Sequence, residues 1–305
     1  MRRSWFSALV LVLVLALVAT ACGGDGDEDG DGGPAATGGQ PGESPAGEDL
    51  LARIQEEGVI RVSTDPAYPP QSKLNEETGE FEGFDIDVAT EIASRLGVEV
   101  EWETPTWNAI VSGGWRDRWD MSVGSMTVTE ERAEVLYFTP AYYYTPASAA
   151  VHEDATYTDV TTELDGKTIG VCGACSYDFY LQKNLHIKVP GYEFDYVIDD
   201  ADIRTYDTDT TAIRDLSLGD GVRLDAAISS LPTLEEAIDS GEPIKILGDP
   251  LFYEPLAVAI DRQAPLDPAG LADEVSRIVD EMHSDGTLTE LSMKWYGEDF
   301  SQSTV

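Results

Sequence analysis

Asp120-Met121-Ser122-Val123-Gly124-Ser125-Met126-Thr127-Val128-Thr129-Glu130-Glu131-Arg132 holds a strand, a turn and a helix start in one short stretch. Asp120 to Val123 reads as a short strand. Thr129-Glu130-Glu131-Arg132 reads as a helix start with Thr129 as N-cap. Small polar residues with free backbone amides lie between them. A strand end that opens onto a helix N-terminus suits an anion, and an arginine there can grip a carboxylate with two parallel hydrogen bonds. A loop with a solvated arginine would carry the same residues, so the surroundings must decide.

Outward from this run the pattern alternates. Val59 to Ser63 is a strand. Phe84 to Leu96 is helical, because Ile86, Ala89, Ile92, Ala93 and Leu96 recur at three and four residues and Gly97 ends the repeat. Val98 to Glu103 alternates as a strand, Thr106 to Ser112 is a short helix, and Tyr142 to Val151 is an extended crossing segment. Strands follow at Lys167–Cys172, Leu224–Ile228, Ile244–Leu247 and Leu256–Ile260, and helices at Tyr177–Asn184, Thr210–Leu218, Leu231–Ser240, Pro268–His283 and Thr287–Trp295. Such alternation predicts an α/β fold with a mainly parallel sheet covered on both faces. Ligands of such sheets sit beyond the carboxyl ends of strands, where the Gly124–Arg132 run lies.

The N-terminus reads as a targeting segment. Arg2 and Arg3 form a positive start, and Leu9 to Val18 is an unbroken apolar run, shorter than the ~20 residues that span a bilayer. Ala19-Thr20-Ala21 supplies the small residues of a processing site. Residues 1–21 are therefore a leader. Residues 22–47 are Gly-, Asp- and Pro-rich, lack large apolar side chains and are expected to form a flexible acidic linker.

Charge excludes one partner class. Asp and Glu number 58 against 19 Lys and Arg, a net charge of -39, whereas nucleic-acid binding needs a basic surface. Such a surface suits high ionic strength, where its self-repulsion is screened. Cys172 and Cys175 form a Cys-Gly-Ala-Cys unit. Outside the cell a structural disulfide is the expected reading; a redox pair or half a metal site are the alternatives. Only His152, His186 and His283 are present, without ligand spacing, so no metal is expected.

The ordered pieces resemble bacterial extracellular solute-binding proteins of family 3, the receptors of ABC importers for polar amino acids. The carrying residues are Gly58 to Pro70, Gly83 to Ala89, Trp107, Asp120, Ser125 to Arg132, Tyr137 to Pro140, Leu164 to Val171, Arg223 to Ile228, Asp285-Gly286-Thr287 and Lys294 to Gly297. The resemblance implies a two-lobe periplasmic-binding-protein-like fold, each lobe a mainly parallel sheet flanked by helices, joined by two crossing strands flanked by Pro146 and Pro255. Lobe 1 would be 48–144 and 253–305, and lobe 2 would be 145–252. Ala19 to Cys22 resembles a lipobox, which implies lipidation of Cys22 and attachment to the outer face of the cell membrane. The implied partners are a small-molecule ligand and the ABC permease subunits. No cofactor is implied, and a monomer is expected.

The resemblance also assigns a site. Arg132 would hold a ligand carboxylate, with Thr127 and Ser176 completing its cage and Met126 and Ser125 beside it. Ser125 would meet the ligand amine. Tyr68 and Trp107 would sandwich the ligand side chain, and Asp65 would reach an amino or distal group. At Ser230 the chain departs from the aspartate that such binders use for the α-ammonium. A serine cannot neutralise a buried ammonium. Either Asp65, Asp209 or Glu254 serves instead, or the ligand lacks a free α-ammonium. Asp85 and Asp87 suit helix-dipole compensation better than a metal. Some relatives of this fold are dehydratases of prephenate-like acids, the alternative function, but no catalytic residue is assignable and a binding protein is expected.

Overall fold

The computed structural model describes residues 49–303, so the leader, the linker and Cys22 lie outside the described residues. The elements in chain order are α1 (Leu50–Glu57), β1 (Val59–Ser63), β2 (Ala67–Tyr68), β3 (Ser72–Leu74), β4 (Phe81–Glu82), α2 (Phe84–Leu96), β5 (Glu99–Glu103), α3 (Trp107–Val111), β6 (Met121–Thr127), α4 (Arg132–Val135), β7 (Leu136–His152), α5 (Val160–Glu163), β8 (Lys167–Cys172), α6 (Ser176–Leu181), β9 (Ala201–Tyr206), α7 (Asp209–Leu216), β10 (Ala226–Ser230), α8 (Leu231–Asp239), β11 (Ile244–Asp261), α9 (Ala269–Ser284) and α10 (Thr287–Tyr296). None of the described helices is long and apolar enough to cross a membrane.

One sheet runs in the order β5-β1-β6-β11-β7-β10-β8-β9. Its outer pairs, β1 with β5 and β6 and β8 with β9 and β10, are parallel. The long strands β7 and β11 pair antiparallel at its centre and join two halves, each with its own core. In the first half, α2, α9 and α10 pack on β1, β6 and the near ends of β7 and β11 around Ile60, Val62, Phe84, Ile92 and Val275. In the second, β8, β10 and α6 enclose Ile169, Val171, Tyr180 and Phe252.

Sequence and structure agree best where periodicity is strong. Helix α2 buries Phe84, Ile86, Val88, Ala89, Ile92 and Ala93, while Leu96 stays half-buried. Gly97 closes the helix in the left-handed region at φ 77°. Gly83 opens it at φ 139°, and a Cβ there would meet the Gln71 carbonyl oxygen at 2.2 Å, so only glycine fits.

Two sequence expectations are corrected. The strands predicted at Ile244–Leu247 and Leu256–Ile260 are one strand, β11, whose register shifts between Leu247 and Phe252; Gly248 and Pro250 interrupt the pattern without ending the pairing. Thr129 does not cap a helix directly. Helix α4 starts at Arg132 after a turn, although the Thr129 hydroxyl still accepts the Arg132 N–H at 3.2 Å.

Candidate functional site

A cavity lies between the two halves, beyond the carboxyl ends of β1, β6, β8 and β9. From β1 come Thr64 and Asp65, followed by Tyr68. From β6 come Gly124, Ser125 and Thr127, with Arg132 beyond the turn. From β8 come Cys172, Cys175 and the helix start Ser176-Tyr177. From β9 come Asp207, Thr208 and Asp209. Trp107 at the start of α3 and Glu254 on β11 complete the wall. Of the nine residues that the sequence assigned to ligand binding, Asp65, Tyr68, Trp107, Ser125, Thr127, Arg132 and Ser176 lie on this wall.

Met126 and Ser230 do not. Side chains alternate across a strand, and between Ser125 and Thr127 that alternation sends Met126 into a core of Ile110, Trp115, Trp119 and Leu136. Ser230 is buried off the wall. Its hydroxyl accepts from Gln71 Nε2 at 3.0 Å and donates to Thr233 Oγ1 at 2.8 Å.

Ser125 reaches the wall, but its hydroxyl is engaged elsewhere. It donates to Asp85 Oδ2 at 2.7 Å and contacts the Tyr143 hydroxyl, while its N–H donates to the Tyr142 hydroxyl at 3.0 Å. Tyr142 in turn donates to Asp85 Oδ1 at 2.7 Å. Burial pushes Asp85 up to about 7 against these two hydrogen bonds. Asp87 instead accepts from Trp295 Nε1 at 2.6 Å and Lys294 Nζ at 2.5 Å. These two carboxylates are thus structural members of the first half.

Arg132 is 4 % exposed. Its Nη1 donates to the Thr127 carbonyl at 2.9 Å and its Nη2 to the Ala174 carbonyl at 3.0 Å. The guanidinium lies 5.2 Å from the centre of the Trp107 ring, close enough for a cation–π contact. Burial lowers Arg132 to about 10, against Glu254 and Glu131, which pull it up; it stays charged near neutrality. Trp107 Nε1 also donates to Ala174, at 3.1 Å. One carbonyl in the Cys172–Cys175 loop therefore receives two donors from the other half. Ala174 adopts left-handed backbone, φ 58°, and its N–H is held by Asp178 at 3.0 Å. The Cys172 and Cys175 sulfurs lie within bonding reach, with Cα atoms 5.7 Å apart.

The acidic side of the cavity was named in sequence only as a set of options. Asp65, Asp209 and Glu254 all line it. Asp209, in the first turn of α7, is 8 % exposed, and Glu254 is 1 % exposed. Glu254 Oε1 accepts from Thr127 Oγ1 at 2.7 Å and from Ser176 Oγ. Glu254 Oε2 and Asp209 Oδ1 have no hydrogen-bond partner, while the Tyr177 and Ser229 hydroxyls lie close enough to the two carboxyls to favour their ionised forms. Burial pushes Asp209 up to about 7, with Asp65 and Glu254 adding to the rise. Burial likewise raises Glu254, against hydrogen bonds from Ser176 and Thr127 and the charge of Arg132. Asp65 is raised by burial against the Ala67 N–H. Three carboxyls thus line the cavity with one guanidinium, which acts on Glu254, and aromatic walls come from Tyr68, Trp107 and Tyr177. Such a pocket can hold a cation on an apolar stem.

Residues 60–298 match the family model of bacterial extracellular solute-binding proteins, family 3. The "Probable amino-acid-binding protein YxeM" of Bacillus subtilis is 28% identical over 260 residues, covering 85% of this chain and 91% of that protein. The L-cystine-binding protein TcyJ of Escherichia coli K12 is 28% identical over 270 residues, covering 88% and 94%. Among solved structures, an ancestral amino acid-binding protein described as a precursor of cyclohexadienyl dehydratase superposes with a TM-score of 0.69 at 25% identity, over 81% of this chain and 100% of that one.

Proposed function

We propose that this chain, which belongs to the bacterial extracellular solute-binding proteins of family 3, captures an amino acid or amino-acid derivative between two lobes and delivers it to the permease of an ABC importer. The observation that carries the reading is the cavity itself. Arg132, Thr127, Ser176, Tyr68, Trp107 and Asp65 converge there from separate strand ends, where ligands of open α/β sheets bind. The lobes would be 48–144 with 253–305 and 145–252, and a hinge motion of β7 and β11 would open and close them. Pro146 and Pro255 lie two rungs apart on that pair, opposite Tyr253 and Tyr144, with the Glu254–Thr145 rung between them. The Ser230 departure is met by the first of its two explanations: carboxylates from Asp65, Asp209 and Glu254 replace the missing one, so a ligand ammonium has partners.

The test is calorimetric titration of the purified mature chain with a panel of amino acids and their derivatives. Specific binding lost on replacing Tyr68 or Asp65 supports the reading; a panel without any binding refutes it. Lipidation at Cys22 and attachment to the outer face of the membrane belong to the same proposal. Labelling with a fatty-acid analogue, lost in Cys22→Ser, checks them. A disulfide between Cys172 and Cys175 would stiffen the loop that carries the Ala174 carbonyl.

One observation gives the enzyme alternative a footing. A buried carboxyl near 7, such as Asp209, is what a general acid needs. Product analysis after incubation with prephenate or arogenate tests it: turnover abolished in Asp209→Asn would establish a dehydratase. The named relatives above are binding proteins, which favours capture over catalysis.

A further inference from the structure

Glu254 stands where a ligand carboxylate is expected. Its Oε1 takes the Thr127 hydroxyl at 2.7 Å and the Ser176 hydroxyl as well, the two groups that would cage such a ligand. Arg132 already gives one N–H from each terminal nitrogen to a protein carbonyl, Nη1 to Thr127 and Nη2 to Ala174, while its Nε has no partner. A ligand carboxylate would enter a seat whose hydroxyls are spent. It would also add a fourth negative group to Asp65, Asp209 and Glu254 around a single guanidinium. Burying a charge without a counter-charge is strongly unfavourable.

The opposite charge meets open partners. Glu254 Oε2 and Asp209 Oδ1 are buried, lie on residues of the cavity wall and lack hydrogen bonds. Asp65 spends one oxygen on the Ala67 N–H at 2.7 Å. Tyr68, Trp107 and Tyr177 supply aromatic surface for an alkyl or aryl stem.

Resting on the solute-capture reading above, we infer that Glu254 is a built-in substitute for the ligand carboxylate. The cavity then selects an organic cation that lacks one: a primary amine or guanidine on an alkyl or aryl stem, the chemistry of a decarboxylated amino acid. Asp209 and the free oxygen of Glu254 hold the cationic group, and Thr127 and Ser176 hold Glu254 in place.

Matched pairs separate the classes. The purified mature chain is titrated calorimetrically with agmatine and arginine, cadaverine and lysine, and tyramine and tyrosine, at one salt concentration and pH 7.5. In at least one pair the amine is expected to bind about tenfold or more tighter than its parent amino acid. An amino acid that binds as tightly as its amine overturns the inference and leaves solute capture standing. Absence of binding by all six probes and by a wider panel of amines and amino acids overturns both. Glu254→Ala vacates the seat and is expected to erase or reverse the preference; an unchanged preference overturns the role of Glu254. Should that variant fail to fold, Glu254→Gln keeps the shape and removes the charge. It is expected to lose about tenfold or more of the amine affinity, and retention of wild-type affinity overturns the inference.

Discussion

Asp209→Asn should make the ligand-free protein more stable, by an amount that grows with pH. The wild-type carboxyl moves from an ordinary 3.8 to about 7 because it is buried, so the folded state holds a proton that the unfolded chain has released. Stability from such a group is fully present below the unfolded value and is lost as pH rises through the folded one. At about 1.4 kcal/mol per pH unit, the linkage removes roughly 2–3 kcal/mol between pH 5 and pH 8. Asparagine keeps the shape and a hydrogen-bonding amide and does not titrate, so the variant escapes that loss. Asp85, also near 7 from burial, pushes stability in the same direction, but it is present in both proteins and cancels in the difference. For a domain of this size the gap corresponds to roughly 5–10 °C in melting temperature. The assay is denaturant unfolding of both proteins at pH 5 and pH 8 without ligand. A gap that stays constant or narrows as pH rises, or a variant less stable at pH 8, would refute the argument that Asp209 is buried without a counter-charge.

Trp107→Phe keeps the aromatic wall and deletes the donor to the Ala174 carbonyl. One neutral hydrogen bond is worth about 1 kcal/mol, so ligand affinity should fall about fivefold; an unchanged affinity would show that this contact is not part of the bound state. Thiol titration of the purified chain should find Cys172 and Cys175 unreactive until a reductant is added, and reduction should weaken ligand binding because both cysteines line the cavity. Two reactive thiols before reduction would remove the disulfide from the proposal. Molar salt should raise the melting temperature by screening the net charge of -39; equal stability at low salt would sink the salt-adaptation reading.

What could be read from sequence was local. Strands β1 and β8 and helix α2 match their predicted bounds to the residue, because apolar spacing and Gly97 specify them without help from distant segments. The hairpin sheet of β2, β3 and β4 escaped notice, since strands of two or three residues carry no period. Edge strand β9 was also missed: Ala201-Asp202-Ile203-Arg204-Thr205-Tyr206 is half-exposed and too polar to stand out. Helix α1 did leave a signal, with Asp49 as cap and Leu50 and Ile54 one turn apart. The arginine and its neighbours were found because a strand end and a turn announce themselves within one stretch. The contact of Glu254 with Thr127 and Ser176 joins residues far apart in sequence. Only the fold brings that carboxylate to those hydroxyls, so sequence offered Glu254 merely as one of three stand-ins for the aspartate missing at Ser230.

The placement of charge also bears on how closure would be controlled. Asp65 comes from the end of β1, Asp209 from the start of α7 and Glu254 from the central strand β11. On the proposed two-lobe reading, separation of the lobes leaves these carboxyls hydrated, whereas closure gathers them in a cavity whose lining, among the described residues, holds Arg132 as its one basic residue. The polar contacts that join the lobes include Trp107 and Arg132 to the Ala174 carbonyl, Ser176 to Glu254, Gln71 to Ser230 and Thr233, Thr210 to the Ala67 carbonyl, and a backbone pair from Glu130 to His186 and from Lys188 to Val128. Each neutral bond contributes about 1 kcal/mol. Confining an uncompensated carboxyl such as Asp209 opposes them with roughly 4 kcal/mol from its rise to about 7. A cation in the cavity cancels that opposition and leaves the latch intact. A ligand shifts a two-state equilibrium only by its differential affinity for the two states, and here the differential resides in the charge it brings. The closed form would then report a loaded cavity to the permease, and a neutral solute of the same shape would lack that contribution to closure.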